Sequence, residues 1–124
     1  MAKTKDRRPP VAVGHIYLEA TDVAAAARWL VDVGMRPIFA ADDFAVLELR
    51  GGTHLVLVPG TVPRAGDAPF DLMVDDLEAT RDRWAAEGLE PSEIERGDIH
   101  ASFAVRDPDG YRVTVNSSHV IGEV

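Results

Sequence analysis

The stretch GHIYLEATDVAAAARWLVDVG, residues 14–34, is a strand feeding a helix, and the rest of the chain is organised around it. Side chains in residues 15–20 alternate, so a strand here sends Ile16, Leu18 and Ala20 to one face and His15, Tyr17 and Glu19 to the other. The first face asks for a core. The second carries an imidazole, a phenol and a carboxylate. Thr21 and Asp22 follow as N-cap candidates, Val23, Ala26, Ala27 and Leu30 recur at helical spacing, and Gly34 supplies a left-handed stop.

A second copy, FDLMVDDLEATRDRWAAEG, occupies residues 70–88. A shift of 54 lays Leu18 on Leu72, Asp22 on Asp76, Gly34 on Gly88 and Pro37 on Pro91, so the positions that cap and end the helix repeat. Further on, a shift of 58 lays residues 52–58, GTHLVLV, on residues 110–116, GYRVTVN. One such unit cannot cover its own apolar face, which is the physical reason for two.

Between these landmarks the chain reads as strands and turns. Residues 36–41 make a short strand turned by residues 40–43, and residues 44–50 alternate with Ala45, Leu47 and Leu49 on one side. Gly51-Gly52 is a hairpin signal, with residues 54–58 returning. Residues 90–96 and 99–106 give two more strands, and Asp107-Pro108-Asp109-Gly110 is a strong turn before residues 111–116. Each half is strand, helix, strand, strand, strand, so the fold class is α+β with two tandem βαβββ modules. The expected divisions are an N-terminal tail at 1–10, a first module at 11–58, a Pro- and Gly-rich linker at 59–68, a second module at 69–116 and a C-terminal tail at 117–124. Trp29 and Trp84 lie on the helices and are assigned to the core or to a subunit interface.

At 124 residues the chain is one domain by size, and its 46% apolar and 27% charged composition is that of a soluble globular protein. The formal charge of −8 argues against nucleic-acid binding, which wants a basic face. With no cysteine there is no disulfide, thiolate nucleophile or zinc–thiolate site. No signal-like or membrane-spanning apolar run is present, which gives the expectation of a cytoplasmic protein without a membrane partner. Phosphate-loop, dinucleotide-glycine and Ser-His-Asp patterns are also missing.

A repeated βαβββ unit with His15 early in its first strand, Asp22-Val23 and Asp76-Leu77 at the two helix starts, and DPDGYRVTV at residues 107–115 resembles the vicinal oxygen chelate superfamily. That is the glyoxalase, bleomycin-resistance and extradiol-dioxygenase group, and the likeness covers about residues 12–116. It implies curved sheets forming a cup, helices outside, and a ligand within. Strand parity then selects the residues lining the cup. His15, Tyr17, Glu19, Phe44, Glu48, His54, Met73, His100, Arg112 and Thr114 are the ligand-binding candidates, with His15 also a candidate acid or base. Arg112 suits a carboxylate or phosphate, or neutralises Glu48 or Asp71. His119 falls in the tail and is set aside.

In metal-using members the resemblance places ligands at four positions, which fall here on His15, Val56, Pro69 and Thr114. Only His15 matches. A substitute set of His15 and His54 with Glu19, Glu48 or His100 is the alternative, although strand residues four apart are separated by roughly 13 Å, which parts His15 from Glu19. The expectation is a metal-independent homodimer, without cofactor, that binds a small organic ligand and sequesters an antibiotic or similar molecule. The competing expectation is an enzyme, an isomerase, lyase or dioxygenase type, using His15 or a rearranged divalent-metal site.

Overall fold

The computed structural model describes residues 5–61 and 66–124. Residues 1–4 of the expected N-terminal tail and 62–65 of the expected linker lie outside them. In chain order the elements are β1 (His15–Ala20), α1 (Val23–Asp32), β2 (Arg36–Ala40), β3 (Ala45–Glu48), β4 (His54–Pro59), β5 (Gly66–Asp67), β6 (Leu72–Val74), α2 (Leu77–Ala86), β7 (Glu95–Arg96), β8 (Ala101–Arg106) and β9 (Tyr111–Ser117). A single 3-10 turn, Arg50–Gly52, joins β3 to β4.

Module 1 is a four-stranded sheet ordered β1-β4-β3-β2, in which β1 runs parallel to β4 and the other pairs are antiparallel. Module 2 repeats the plan around β9, with β8 and β7 on one side and both β5 and β6 on the other. The expected linker 59–68 therefore ends inside the second sheet, since Gly66 and Asp67 already pair with Tyr111 and Arg112. Between β5 and β6 the register slips. Asp67 pairs with Arg112, a separation of 112 − 67 = 45, and Leu72 pairs with Val115, a separation of 115 − 72 = 43. Two residues are extra, and Pro69, which cannot donate to a ladder, sits among them.

Both helices are capped as the repeat predicts. Asp22 accepts from the Ala25 amide and Asp76 from the Ala79 amide, each at 3.0 Å. Gly34 and Gly88 follow with φ of 113° and 83°, a backbone state that a side chain disfavours. Helix α1 buries Val23, Ala26, Ala27, Trp29 and Leu30, and α2 buries Leu77, Thr80 and Trp84. Their apolar faces meet Leu18, Leu47, Leu55 and Leu57 from module 1 and Phe103, Val105, Val113 and Val115 from module 2 in one continuous core. Both tryptophans are thus core residues. The modules are also tied at their turns. The Thr21 amide (3.0 Å) and hydroxyl both donate to Asp109, and Arg50 donates to Asp75 at 3.0 and 3.3 Å. Under the shift of 54, Thr21 corresponds to Asp75, so each module's strand-to-helix turn is clasped by the other's hairpin turn. No helix among the described residues is long and apolar enough to cross a membrane.

Candidate functional site

The dressed face of module 1 is organised as a single rung. Arg36 pairs with Glu48, Glu48 with His54 and His54 with His15, so four strands set one guanidinium, one carboxylate and two imidazoles side by side. Arg36 donates to Glu48, and His54 Nε2 lies 2.9 Å from the second Glu48 oxygen. The Arg36 guanidinium, and after it His54, hold the Glu48 carboxyl below its ordinary range. An ionised carboxylate only accepts, so His54 Nε2 is the donor and Nδ1 is left as the basic nitrogen of the neutral ring. The His15 ring stands edge-on to His54 at 6.1 Å and stacked with Tyr17 at 6.3 Å. Phe44 packs not on this rung but against Phe39, with centroids 6.0 Å apart.

Module 2 carries a hollow of about 740 Å³ where the slip between β5 and β6 lifts the chain from the ladder. Phe70 and Met73 line one part of it; Arg112, Thr114 and Asn116 from β9, His100 and His119 line the rest, with Asp67 and Asp71 also on the wall. Arg112 faces neither Glu48 nor Asp71 as its nearest acid but Asp67, whose carboxylate is 3.8 Å away, beyond hydrogen-bond range. His100 Nδ1 lies 3.2 Å from the Ser117 carbonyl, which can only accept, so Nδ1 carries a proton. His119, set aside on sequence because it follows the last strand, packs edge-on against His100 at 4.9 Å. The signal that finds it is its partner: Ser117 turns the tail across His100, a contact between residues 17 apart that no periodicity carries.

The ten candidate residues are therefore distributed rather than gathered. His15, Tyr17, His54 and Glu48 form the module 1 rung and its neighbour, Met73, His100, Arg112 and Thr114 line the module 2 hollow, and Phe44 stands apart with Phe39. Tyr17 and Glu19 border a smaller hollow of about 450 Å³ that they share with Gly66, Asp67, Pro69 and Tyr111 across the module boundary.

The family model of the Glyoxalase/Bleomycin resistance protein/Dioxygenase superfamily matches residues 12–115, from ahead of β1 into β9. The chain belongs to that superfamily. Its fold is similar to the crystal structure of lactoylglutathione lyase from Agrobacterium tumefaciens, with a TM-score of 0.74 and 22% identity over 94% of this chain and 100% of the other. It is also similar to the bleomycin-binding protein of bleomycin-producing Streptomyces verticillus, solved with copper(II)-bleomycin, with a TM-score of 0.69 and 21% identity over 90% of this chain and 100% of that one. Oxidase ChaP-H1 gives 0.70 and 24% over 90% and 99%. No curated protein matches the chain. Binding proteins and enzymes of the superfamily thus share this fold, and the fold alone does not choose between them.

The superfamily's metal positions can be tested against the donors present. Register corrects the third of them: the residue paired with Arg112, as His15 is paired with His54, is Asp67 and not Pro69, because the two extra residues intervene. The set becomes His15, Val56, Asp67 and Thr114, still with one position that has no donor and one with only a hydroxyl. Glu48, from the substitute set, is already engaged by Arg36 and His54. Among the described residues no three His, Asp or Glu side chains come together as an ion would require. This donor set does not fit a divalent cation.

Proposed function

We propose that the protein binds a small organic molecule in the module 2 hollow without a metal ion, and that it acts by sequestering an antibiotic or a similar compound in the cytoplasm. The observation that carries this reading is Arg112: it stands on a wall that also offers Phe70 and Met73, and among the described residues its guanidinium has only a long ion pair, 3.8 Å to the exposed Asp67 carboxylate. A hollow of this volume, apolar on one part and polar on another, suits a drug-sized ligand. The bleomycin-binding relative supports the class of activity.

A second copy completes the site in this reading, with the molecule a homodimer. Phe39 and Phe44, which pack on each other, are 52% and 40% exposed on module 1, an apolar pair that a partner would cover. Sedimentation is expected to give twice the chain mass. Small-molecule binding to metal-free protein, weakened ten- to a hundredfold by Arg112→Gln, is the expected result for the site, since bonds to charged groups are the strong ones. Stoichiometric metal that copurifies and is lost in His15→Ala would defeat the reading.

The superfamily's enzymes supply the second reading, and the Glu48–His54 hydrogen bond favours it, because a carboxylate that orients an imidazole is how proteins prepare a base. Here His54, beside His15, takes the proton. Turnover of any bound compound that falls in His54→Gln and His15→Ala, with binding retained, would select it.

A further inference from the structure

Module 2 lacks the internal acid of module 1's central rung. In module 1, Glu48 pairs across the ladder with His54 and is hydrogen-bonded to it at 2.9 Å. Under the shift of 58 these two positions fall on Arg106 and Arg112, again a cross-strand pair. Arg106 donates to the Gly110 carbonyl at 2.8 Å and makes no ion pair among the described residues. Arg112 has Asp67, 3.8 Å away with its side chain 79% exposed. The rung thus holds two guanidinium groups and one loosely held carboxylate, where module 1 places an acid on its own strand. A carboxylate from outside, gripped bidentately by Arg112, fits that place.

The far end of the same hollow offers a hydrogen-bond acceptor. His100 lines it, and its Nδ1–H donates to the Ser117 carbonyl, so the lone pair of the neutral ring sits on Nε2. Nε2 has no hydrogen-bond partner among the described residues. The side-chain nitrogens and oxygens that are both buried and unpartnered there are Trp84 Nε1 and Asp107 Oδ2, so His100 Nε2 is open to solvent. A phenolic hydroxyl would satisfy it.

Arg112 and Ser117 are five residues apart on β9, roughly 16 Å along the strand before either end's side chain reaches inward, a span that calls for two linked rings rather than one. Between the ends Thr114 and Asn116 carry no charge, and Phe70 and Met73 supply apolar surface. Asp71, also on the wall, disfavours negative charge on the occupant anywhere but at Arg112.

Resting on the reading of this hollow as the ligand site, we infer that its occupant is an elongated aromatic acid of two linked rings. Its carboxylate lies on Arg112, in the place Glu48 takes in module 1, and a phenolic hydroxyl at its other end donates to His100 Nε2.

A biphenyl with a para carboxylate on one ring and a para hydroxyl on the other is the probe, with titration calorimetry on metal-free protein as the measurement. It is expected to bind ten- to a hundredfold more tightly than the same biphenyl without the carboxylate, and about tenfold more tightly than the one without the hydroxyl. Arg112→Gln is expected to abolish the first preference and keep the second. His100→Asn, whose amide can still donate to the Ser117 carbonyl but leaves no lone pair at the Nε2 position, is expected to do the reverse. Equal binding of all three probes by the unmodified protein, weakened throughout by Phe70→Ala, would overturn the class of molecule and leave the hollow a ligand site. Preferences that survive both Arg112→Gln and His100→Asn would overturn it too. Failure of all three probes to bind would likewise overturn the class, and a small-molecule thermal-shift screen with no hit at all would in addition remove the site on which it rests. The comparison of probes on the unmodified protein stands even if a variant does not fold.

Discussion

Across the central rung, module 1 sets Arg36, Glu48, His54 and His15 side by side, whereas module 2 sets Arg106, Arg112 and Asp67 in the corresponding register. In module 1 the carboxylate sits between its cation and an imidazole and binds both. In module 2 two guanidinium groups are neighbours, and Arg106 turns aside to donate to the Gly110 carbonyl at 2.8 Å. The same ladder therefore yields a hydrogen-bonded network on one face and, on the other, a cation over a hollow held only by a long ion pair to Asp67. Helix caps, stop glycines and buried strand positions repeat because packing holds them. Chemistry on the opposite parity is free of that constraint, and the two-residue slip near Pro69 turned one flat face into a cavity.

The cores provide the largest test of how equivalent the halves remain. Leu30 and Trp84 occupy matching helix positions and are both buried. Leu30→Ala is expected to lower stability by about 2–5 kcal/mol and Trp84→Ala by about 3–5 kcal/mol, measured by urea unfolding. A single cooperative transition in both variants is expected, because one core spans both modules. Separate transitions, with one half unfolding first, would break the comparison.

The caps should behave alike. Asp22→Ala and Asp76→Ala each remove one side-chain bond to an amide at the same helix position, so each is expected to cost about 1 kcal/mol. The clasps should not. Asp109→Ala removes an acceptor shared by the Thr21 amide and hydroxyl, for about 1 kcal/mol, while Arg50→Ala breaks a solvent-exposed pair and is expected to cost less. Equal losses at the two clasps would show that the interface is symmetric in energy as well as in placement.

Much of this was open to inspection in the chain itself. Period-two alternation in residues 15–20 and the D-V and D-L helix starts fix element order and module count, since hydrophobic spacing and capping are local properties. The site was less legible. Parity correctly put His15, His54, Met73, Arg112 and Thr114 on the non-core faces, but parity is silent on which face meets which. The shift of 54 misplaced His15's counterpart on Pro69, because a slip in register leaves no mark on the flanking alternation. His119 and the pairing of Arg112 with Asp67 depend on tertiary approach alone.

The smallest expected effect discriminates the two faces most finely. Glu48 has its carboxyl pKa lowered in the fold, first by Arg36 and then by His54, so the folded state holds its charge more strongly than the unfolded chain does. That stabilisation is complete above the ordinary carboxylate range and disappears as pH falls through the lowered folded value. Glu48→Gln is therefore expected to melt below wild type at neutral pH, with the gap narrowing steadily on acidification and closing in strong acid. Module 2 has Arg106 at this place in its ladder, and Arg106→Gln should produce a gap with no such closure, since no carboxylate titrates through it. Melting curves for the two variants between neutral pH and strong acid thus report whether the Arg36–Glu48–His54 network is an ionic one. A gap for Glu48→Gln that persisted unchanged into acid would mean that packing, and not charge, holds the module 1 rung together.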